Sequence, residues 1–175
     1  MVESGSRPKA RANPLFLRDE ELRQAMELMF YAYRDFTGEV DGILTEYGFG
    51  RAHHRVIYFV GRNPEITVSQ LLAILKITKQ SLSRVLGQLM DEGYINQRED
   101  RRDRRRRLLT LTAKGSELEA RLTDRQSRRI AKAYRDAGAE AVEGFRTVLR
   151  GIINQEDRER VAHQGSSPIA KVAER

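Results

Sequence analysis

From Leu15 to about Tyr47, apolar side chains recur at Leu22, Met26, Met29, Phe30, Tyr33, Phe36, Val40, Ile43, Leu44 and Tyr47. The spacing is helical, and the stripe is wider than one packing partner requires. It predicts one long helix buried on two sides. Gly48-Phe49-Gly50 ends it, and a second helix over 51–62 stops at Asn63-Pro64, because the residue before proline avoids the α region. Thr67-Val68-Ser69-Gln70 has the spacing of a capping box, with Gln70 able to reach back to the Thr67 amide. The helix it opens carries Leu71, Leu72, Ile74 and Leu75 inward, and Lys76-Ile77 makes a turn. Thr78 caps the next helix, which turns Leu82, Val85, Leu86, Leu89 and Met90 to one face, and Gly93 closes it. The opposite face is left to Lys79, Gln80, Ser81, Ser83, Arg84 and Gln88.

After Gly93 the period shortens. Residues 94–98 and 107–111 read as short strands, so the segment between them is the tip of a hairpin. Thr112-Ala113-Lys114-Gly115 starts a long polar helix with Leu118, Leu122, Ile130 and Tyr134 on one side. Gly138 separates it from a last helix bearing Val142, Phe145, Val148, Leu149 and Ile152. Residues 1–14 are too polar to order themselves and read as a flexible arm, and 157–175 as a frayed or disordered tail. The pattern is mainly α with a small β-hairpin wing: two short helices joined by a turn, then a hairpin, flanked by long helices.

Charge gives this pattern a partner. Of the formal +7, the stretch 78–107 holds nine Lys/Arg against five acids, and seven arginines fall between positions 98 and 107. A charged run is ordinarily a solvated loop. Placed between two strands directly after a helix whose first turns are small, polar and cationic, it reads instead as a surface for a polyanion. Thr78, Lys79, Gln80, Ser81, Ser83, Arg84 and Gln88 are the candidates for base edges and phosphates of duplex DNA. The wing candidates are Arg98, Arg102, Asp103, Arg104 and Arg105. Thr67, Ser69 and Gln70 either cap their helix only or also present its first amides to a phosphate.

Other chemistries find little support. The chain contains no cysteine, which removes disulfides, thiolate nucleophiles and Cys-type zinc sites. His53 and His54 are adjacent and diverge by about 100° on a helix, so they do not chelate one metal together. There is no phosphate-cradling glycine loop or nucleophile motif, and no catalytic residue or cofactor is expected. Without an apolar run of roughly 20 residues or a signal-type start, a soluble cytoplasmic protein is the expectation. RNA binding is an alternative use of an arginine-rich loop, although residues 96–107 carry no aromatic side chain for base stacking. An architectural DNA-binding protein without an effector is another.

Five motifs occur in order: Ile66-Thr67-Val68-Ser69-Gln70-Leu71-Leu72, Ile77-Thr78-Lys79-Gln80-Ser81-Leu82-Ser83, Leu89-Met90-Asp91-Glu92-Gly93-Tyr94-Ile95, Asp100-Arg101-Arg102-Asp103-Arg104-Arg105 and Leu111-Thr112-Ala113-Lys114-Gly115. Together they resemble the MarR family of bacterial transcription regulators over roughly Leu22 to Ile153. Arg51-Ala52-His53-His54-Arg55 ahead of Gly61-Arg62-Asn63-Pro64 looks like a PetP-type subgroup. Many members have proline after the first wing aspartate, where Arg101 stands here.

The resemblance implies a winged helix-turn-helix with a helical dimerisation lobe. On this reading 1–14 is an arm, 15–50 the first dimerisation helix, 51–112 the DNA-binding lobe, 113–156 the C-terminal dimerisation helices and 157–175 the tail. A homodimer suits the single recognition helix per chain, since two of them about 34 Å apart read a pseudo-palindromic operator. The resemblance further implies that Asp103 braces Arg105 for the minor groove. It also implies a small aromatic or anionic effector. Phe30, Tyr33, Phe36, His54 and Tyr58 are the pocket candidates, with ordinary core packing as their other reading.

Overall fold

The computed structural model describes residues 15–101 and 103–164. Arm residues 1–14, Arg102 and residues 165–175 lie outside the described residues. The chain divides into two compact units, one ending at Gly38 and the other beginning at Glu39.

The first unit contains a short 3-10 turn, Leu15–Leu17, and helix α1, Asp19–Gly38. Asp19, Glu20 and Glu21 in its first turn complement the positive end of the helix dipole. None of its side chains is buried, and Leu22, Met26, Met29, Phe30 and Tyr33 are all exposed.

The second unit starts where a continuous helix was expected. Helix α1 stops at Gly38 and a separate helix, α2, runs Asp41–Glu46. Glycine is about 1 kcal/mol poorer than alanine in a helix, so the chain yields there. Glu39 then forms ion pairs with Arg125 and Arg129, while Val40 and Leu44 are fully buried. Helix α3 is Arg51–Arg62, β1 is Ile66–Thr67, α4 is Val68–Leu75 and α5 is Lys79–Asp91. Strands β2, Ile95–Glu99, and β3, Arg107–Leu111, form the hairpin; α6, Ala113–Ala137, and α7, Ala139–Ile152, follow it.

The sheet order is β1-β3-β2, all antiparallel, with Ile66 opposite Leu109 and Gln97 opposite the same residue. Strand β1 has only two residues, too few to show a period, and the sequence pattern missed it. Its Ile66 and Thr67 are nonetheless buried, and it ties the entrance of α4 to the hairpin. The core joins Val56, Ile57 and Val60 of α3 to Leu71 of α4, Leu82, Val85, Leu86 and Leu89 of α5, Leu109 of β3 and Leu118 and Leu122 of α6. Each such side chain contributes about 1.5–3 kcal/mol by leaving water, which fixes α5 by its inner face.

Residues 155–164, expected in part to be frayed, form helix α8, Gln155–Gln164. Lys76 pairs with Asp157 at 3.2 Å, and Arg160 donates to the Ala73 carbonyl at 3.1 Å. Charges that look like tail composition are therefore spent on contacts with α4 and the turn after it.

Candidate nucleic-acid interface

Helix α5 is held at both ends by groups that leave its outer face free. At its start the Thr78 hydroxyl accepts the Ser81 amide at 3.1 Å and donates to the Ser81 hydroxyl at 2.8 Å. The turn before it depends on Lys76, a non-glycine residue in the left-handed region at φ 50°. At its end Lys114 of α6 donates to the Glu92 carbonyl at 2.9 Å, where the negative end of the helix dipole favours a cation. Thr112 donates to the Gly93 carbonyl at 2.7 Å.

Between these ends, Lys79, Gln80, Ser81, Ser83 and Arg84 are exposed. Lys79 and Arg84 enter no ion pair among the described residues. Gln88 departs from the sequence expectation. It is half-buried; its Oε1 lies 2.9 Å from His53 Nε2, and its amide donates to Glu92 at 2.9 Å. Its carboxamide is committed to the protein, because α3 crosses α5 there and covers the later turn of the outer face.

The capping box at α4 forms as its spacing predicts. The Gln70 amide donates to the Thr67 hydroxyl at 3.2 Å, and Gln70 Oε1 accepts the Thr67 amide at 2.9 Å. Thr67 is buried by the β1–β3 pairing, which removes it as a phosphate contact. Ser69 and Gln70 remain exposed at the helix start.

The wing sorts its arginines by position. Arg98 on β2 pairs with Glu65, and Arg107 pairs with Glu99 directly opposite it across the hairpin. Arg106 stands 3.7 Å from Asp100. Arg104 and Arg105, at the tip, are exposed and unpaired among the described residues. The tip is a turn in which the Arg106 amide donates to the Asp103 carbonyl at 2.9 Å. The Asp103 carboxylate accepts the Arg105 amide at 3.0 Å. The aspartate thus acts on the backbone of Arg105 and not on its guanidinium, as expected of an Asp side chain that folds onto the chain two residues on. Arg98 is correspondingly a less available cation than its place in the run suggested.

The effector candidates fall on two elements. Phe30 and Tyr33 are exposed on α1 and Phe36 is half-buried there. His54 and Tyr58 are half-buried on α3, with Tyr58 edge-on to Phe59 at 5.2 Å. His54 Nε2 is buried without a hydrogen-bond partner among the described residues. Burial pushes its imidazole below the ordinary value; Arg55 adds to this and Asp41 opposes it. No group of His, Asp or Glu side chains among the described residues is arranged to hold a metal ion.

His53, set aside above as a metal ligand, is the partner of Gln88. Its only sequence signal is its place three residues after Gly50, where a side chain can reach back to the helix's first free amide.

Residues 47–106 match the family model described as MarR family. The chain is 51% identical over 140 residues to the HTH-type transcriptional regulator PetP of Rhodobacter capsulatus, covering 80% of this chain and 84% of that one. Among solved structures it resembles Streptococcus pneumoniae FabT in complex with DNA, at 21% identity and TM-score 0.64, over 75% of this chain and 94% of that one. It also resembles a mutant MarR from E. coli complexed with operator DNA, at 17% identity and TM-score 0.60, over 81% and 100%. At these identities the two structures speak to the fold, a winged helix.

Proposed function

The chain belongs to the MarR family, and from that premise we propose that it is a dimeric, sequence-specific transcriptional regulator that binds duplex DNA and carries out no catalysis. The observation that carries this reading is the set of exposed cations Lys79, Arg84, Arg104 and Arg105, unpaired among the described residues and presented by a capped helix and by the hairpin that follows it. Helix α5 enters the major groove, where Lys79, Gln80, Ser81, Ser83 and Arg84 meet base edges and phosphates. Arg104 and Arg105 at the wing tip follow the adjacent minor groove. Ser69, Gln70 and the amides at the start of α4 meet a phosphate. The solved complexes of FabT and MarR with DNA support this use of the fold.

Residues 51–112 are the DNA-binding lobe, and the helices before and after them form the dimerisation lobe. On α7, Phe145, Val148, Leu149 and Ile152 are exposed together, as are Met26, Met29 and Phe30 on α1. Apolar surface of that kind is the signature of an interface, and the occupant proposed is a second copy. A small aromatic or anionic effector meets α3 at His54 and Tyr58, where a buried imidazole nitrogen lacks a partner. No helix among the described residues is long and apolar enough to cross a membrane; a cytoplasmic location is proposed on the strength of the family.

Selection of genomic fragments on the purified full-length protein, followed by sequencing, tests the reading. A pseudo-palindromic motif, bound with an affinity that falls steeply with salt, is expected. Equal binding to all duplexes would indicate an architectural protein, and preference for structured RNA would defeat the proposal.

A further inference from the structure

His53 joins the start of α3 to the recognition helix through a hydrogen-bond chain whose polarity is fixed. The Gly50 amide can only donate, and it meets His53 Nδ1 at 3.1 Å. Nδ1 is therefore the lone-pair nitrogen and the imidazole proton sits on Nε2. Nε2 then donates to Gln88 Oε1 at 2.9 Å, and the Gln88 amide donates to the Glu92 carboxylate at 2.9 Å. The ring cannot tilt freely, because it stacks on Phe49 at 4.8 Å and 14°. Phe49 is buried and stands edge-on to Tyr94 at 5.1 Å. Each link runs from a donor to an acceptor, and the last acceptor is a carboxylate oxygen.

Gln88 lies four residues after Arg84, one turn along the same face of α5. Fixing Gln88 from outside the helix therefore fixes the angle at which Arg84, and with it the reading face, is presented. Core packing fixes the inner side, and this chain of bonds adds a restraint on the outer one. We propose that His53 is a positioning residue for DNA reading: its Nε2–H tautomer constrains the outer face of the recognition helix through Gln88, and operator discrimination depends on it. The inference rests on the regulator reading above.

Two substitutions separate the bonds. Asparagine places an acceptor near the position of Nδ1, so His53→Asn keeps the Gly50 bond and loses the reach to Gln88. Glutamine extends to the position of Nε2, so His53→Gln keeps the link. The test uses the full-length protein, the selected operator and a random duplex of equal length, both at one salt concentration. His53→Asn and Gln88→Ala are each expected to weaken operator binding by about three- to tenfold with random-duplex binding unchanged, the range of one hydrogen bond. The double variant should lose no more than the larger single loss, and His53→Gln should restore most of the discrimination.

Additive losses, equal losses for the Asn and Gln variants, or unchanged discrimination in His53→Asn would overturn the proposal while leaving the regulator reading intact. If wild type discriminates no duplex, both fall together. Should His53→Asn not fold, Gln88→Ala decides alone, since it leaves the α3 cap untouched: lost discrimination supports the link and retained discrimination refutes it.

Discussion

The carboxylate of Asp103 accepts the backbone amide of Arg105 at 3.0 Å, which shapes the wing tip and leaves the Arg105 guanidinium free to meet a partner. Asp103→Asn keeps the accepting oxygen and is expected to bind the operator within about twofold of wild type, whereas Asp103→Ala loosens the turn and costs about 0.5–1.5 kcal/mol of binding. Arg105→Ala removes the contact itself and loses more. Because a loosened turn harms binding only through the arginines it presents, Asp103→Ala should cost less in an Arg105→Ala background. Fluorescence anisotropy on the operator at fixed salt compares the four variants with wild type. Strictly additive losses would leave the tip as a diffuse positive surface.

Lys79 and Arg84 project from the first turns of α5 with no ion pair among the described residues to break first. Arg84→Ala and Lys79→Ala are each expected to cost about 1–3 kcal/mol on the operator and to relax preference at particular base pairs. Arg98→Ala, whose guanidinium is engaged by Glu65, should cost less than Arg105→Ala. Binding to a set of operator variants checks both orderings; a uniform loss across variants in Arg84→Ala would assign that side chain to phosphate.

Gly115 is required by close approach. A Cβ there would stand 2.1 Å from the Tyr94 carbonyl oxygen, a backbone atom that also accepts the Thr112 amide at 3.0 Å. Gly115→Ala should therefore destabilise by about 1–3 kcal/mol, against the gain alanine normally brings to a helix. A melting curve decides it: a variant as stable as wild type would show that α6 can shift at no cost.

His54 gives stability a pH dependence whose sign follows from its lowered folded-state value. Above the ordinary imidazole value of about 6.5, folded and unfolded chains both hold it neutral. As pH falls, the unfolded chain takes the proton first, so this contribution is lost progressively between that value and the lower folded one. His54→Asn should flatten the fall in Tm between about pH 7.5 and 5.5. Parallel curves for the two proteins would remove His54 as the cause.

A second copy on the exposed faces of α1 and α7 predicts an assembly sensitive to single charges. Val148→Asp and Phe145→Asp are expected to shift the full-length protein from dimer to monomer in sedimentation at micromolar concentration, because an unpaired carboxylate is costly to bury. A monomeric wild type would sink the architecture.

Sequence by itself determined the parts of this protein governed by neighbours along the chain. Thr67, Thr78 and Thr112 cap the helices they precede, and the Leu82, Val85, Leu86 and Leu89 stripe is the buried face of α5. The strand pair read at 94–98 and 107–111 forms the hairpin, its first strand one residue further on at 95–99. These follow from local hydrogen bonding and from periods of 3.6 and 2, which need no knowledge of distant residues. Tertiary structure decided what depends on partners far away in the chain. It paired Glu39 with Arg125 and Arg129 and buried Val40, directly after α1 ends at Gly38. It made a strand of two residues at Ile66–Thr67 by supplying β3, and a helix at Gln155–Gln164 beside α4. It also divided a run of like charges into arginines engaged by Glu65, Asp100 and Glu99 and arginines left at the tip, and it turned Gln88 from the reading face to His53. Composition can count charges and amides, but only the folded chain brings each one to, or keeps it from, the group that would neutralise it.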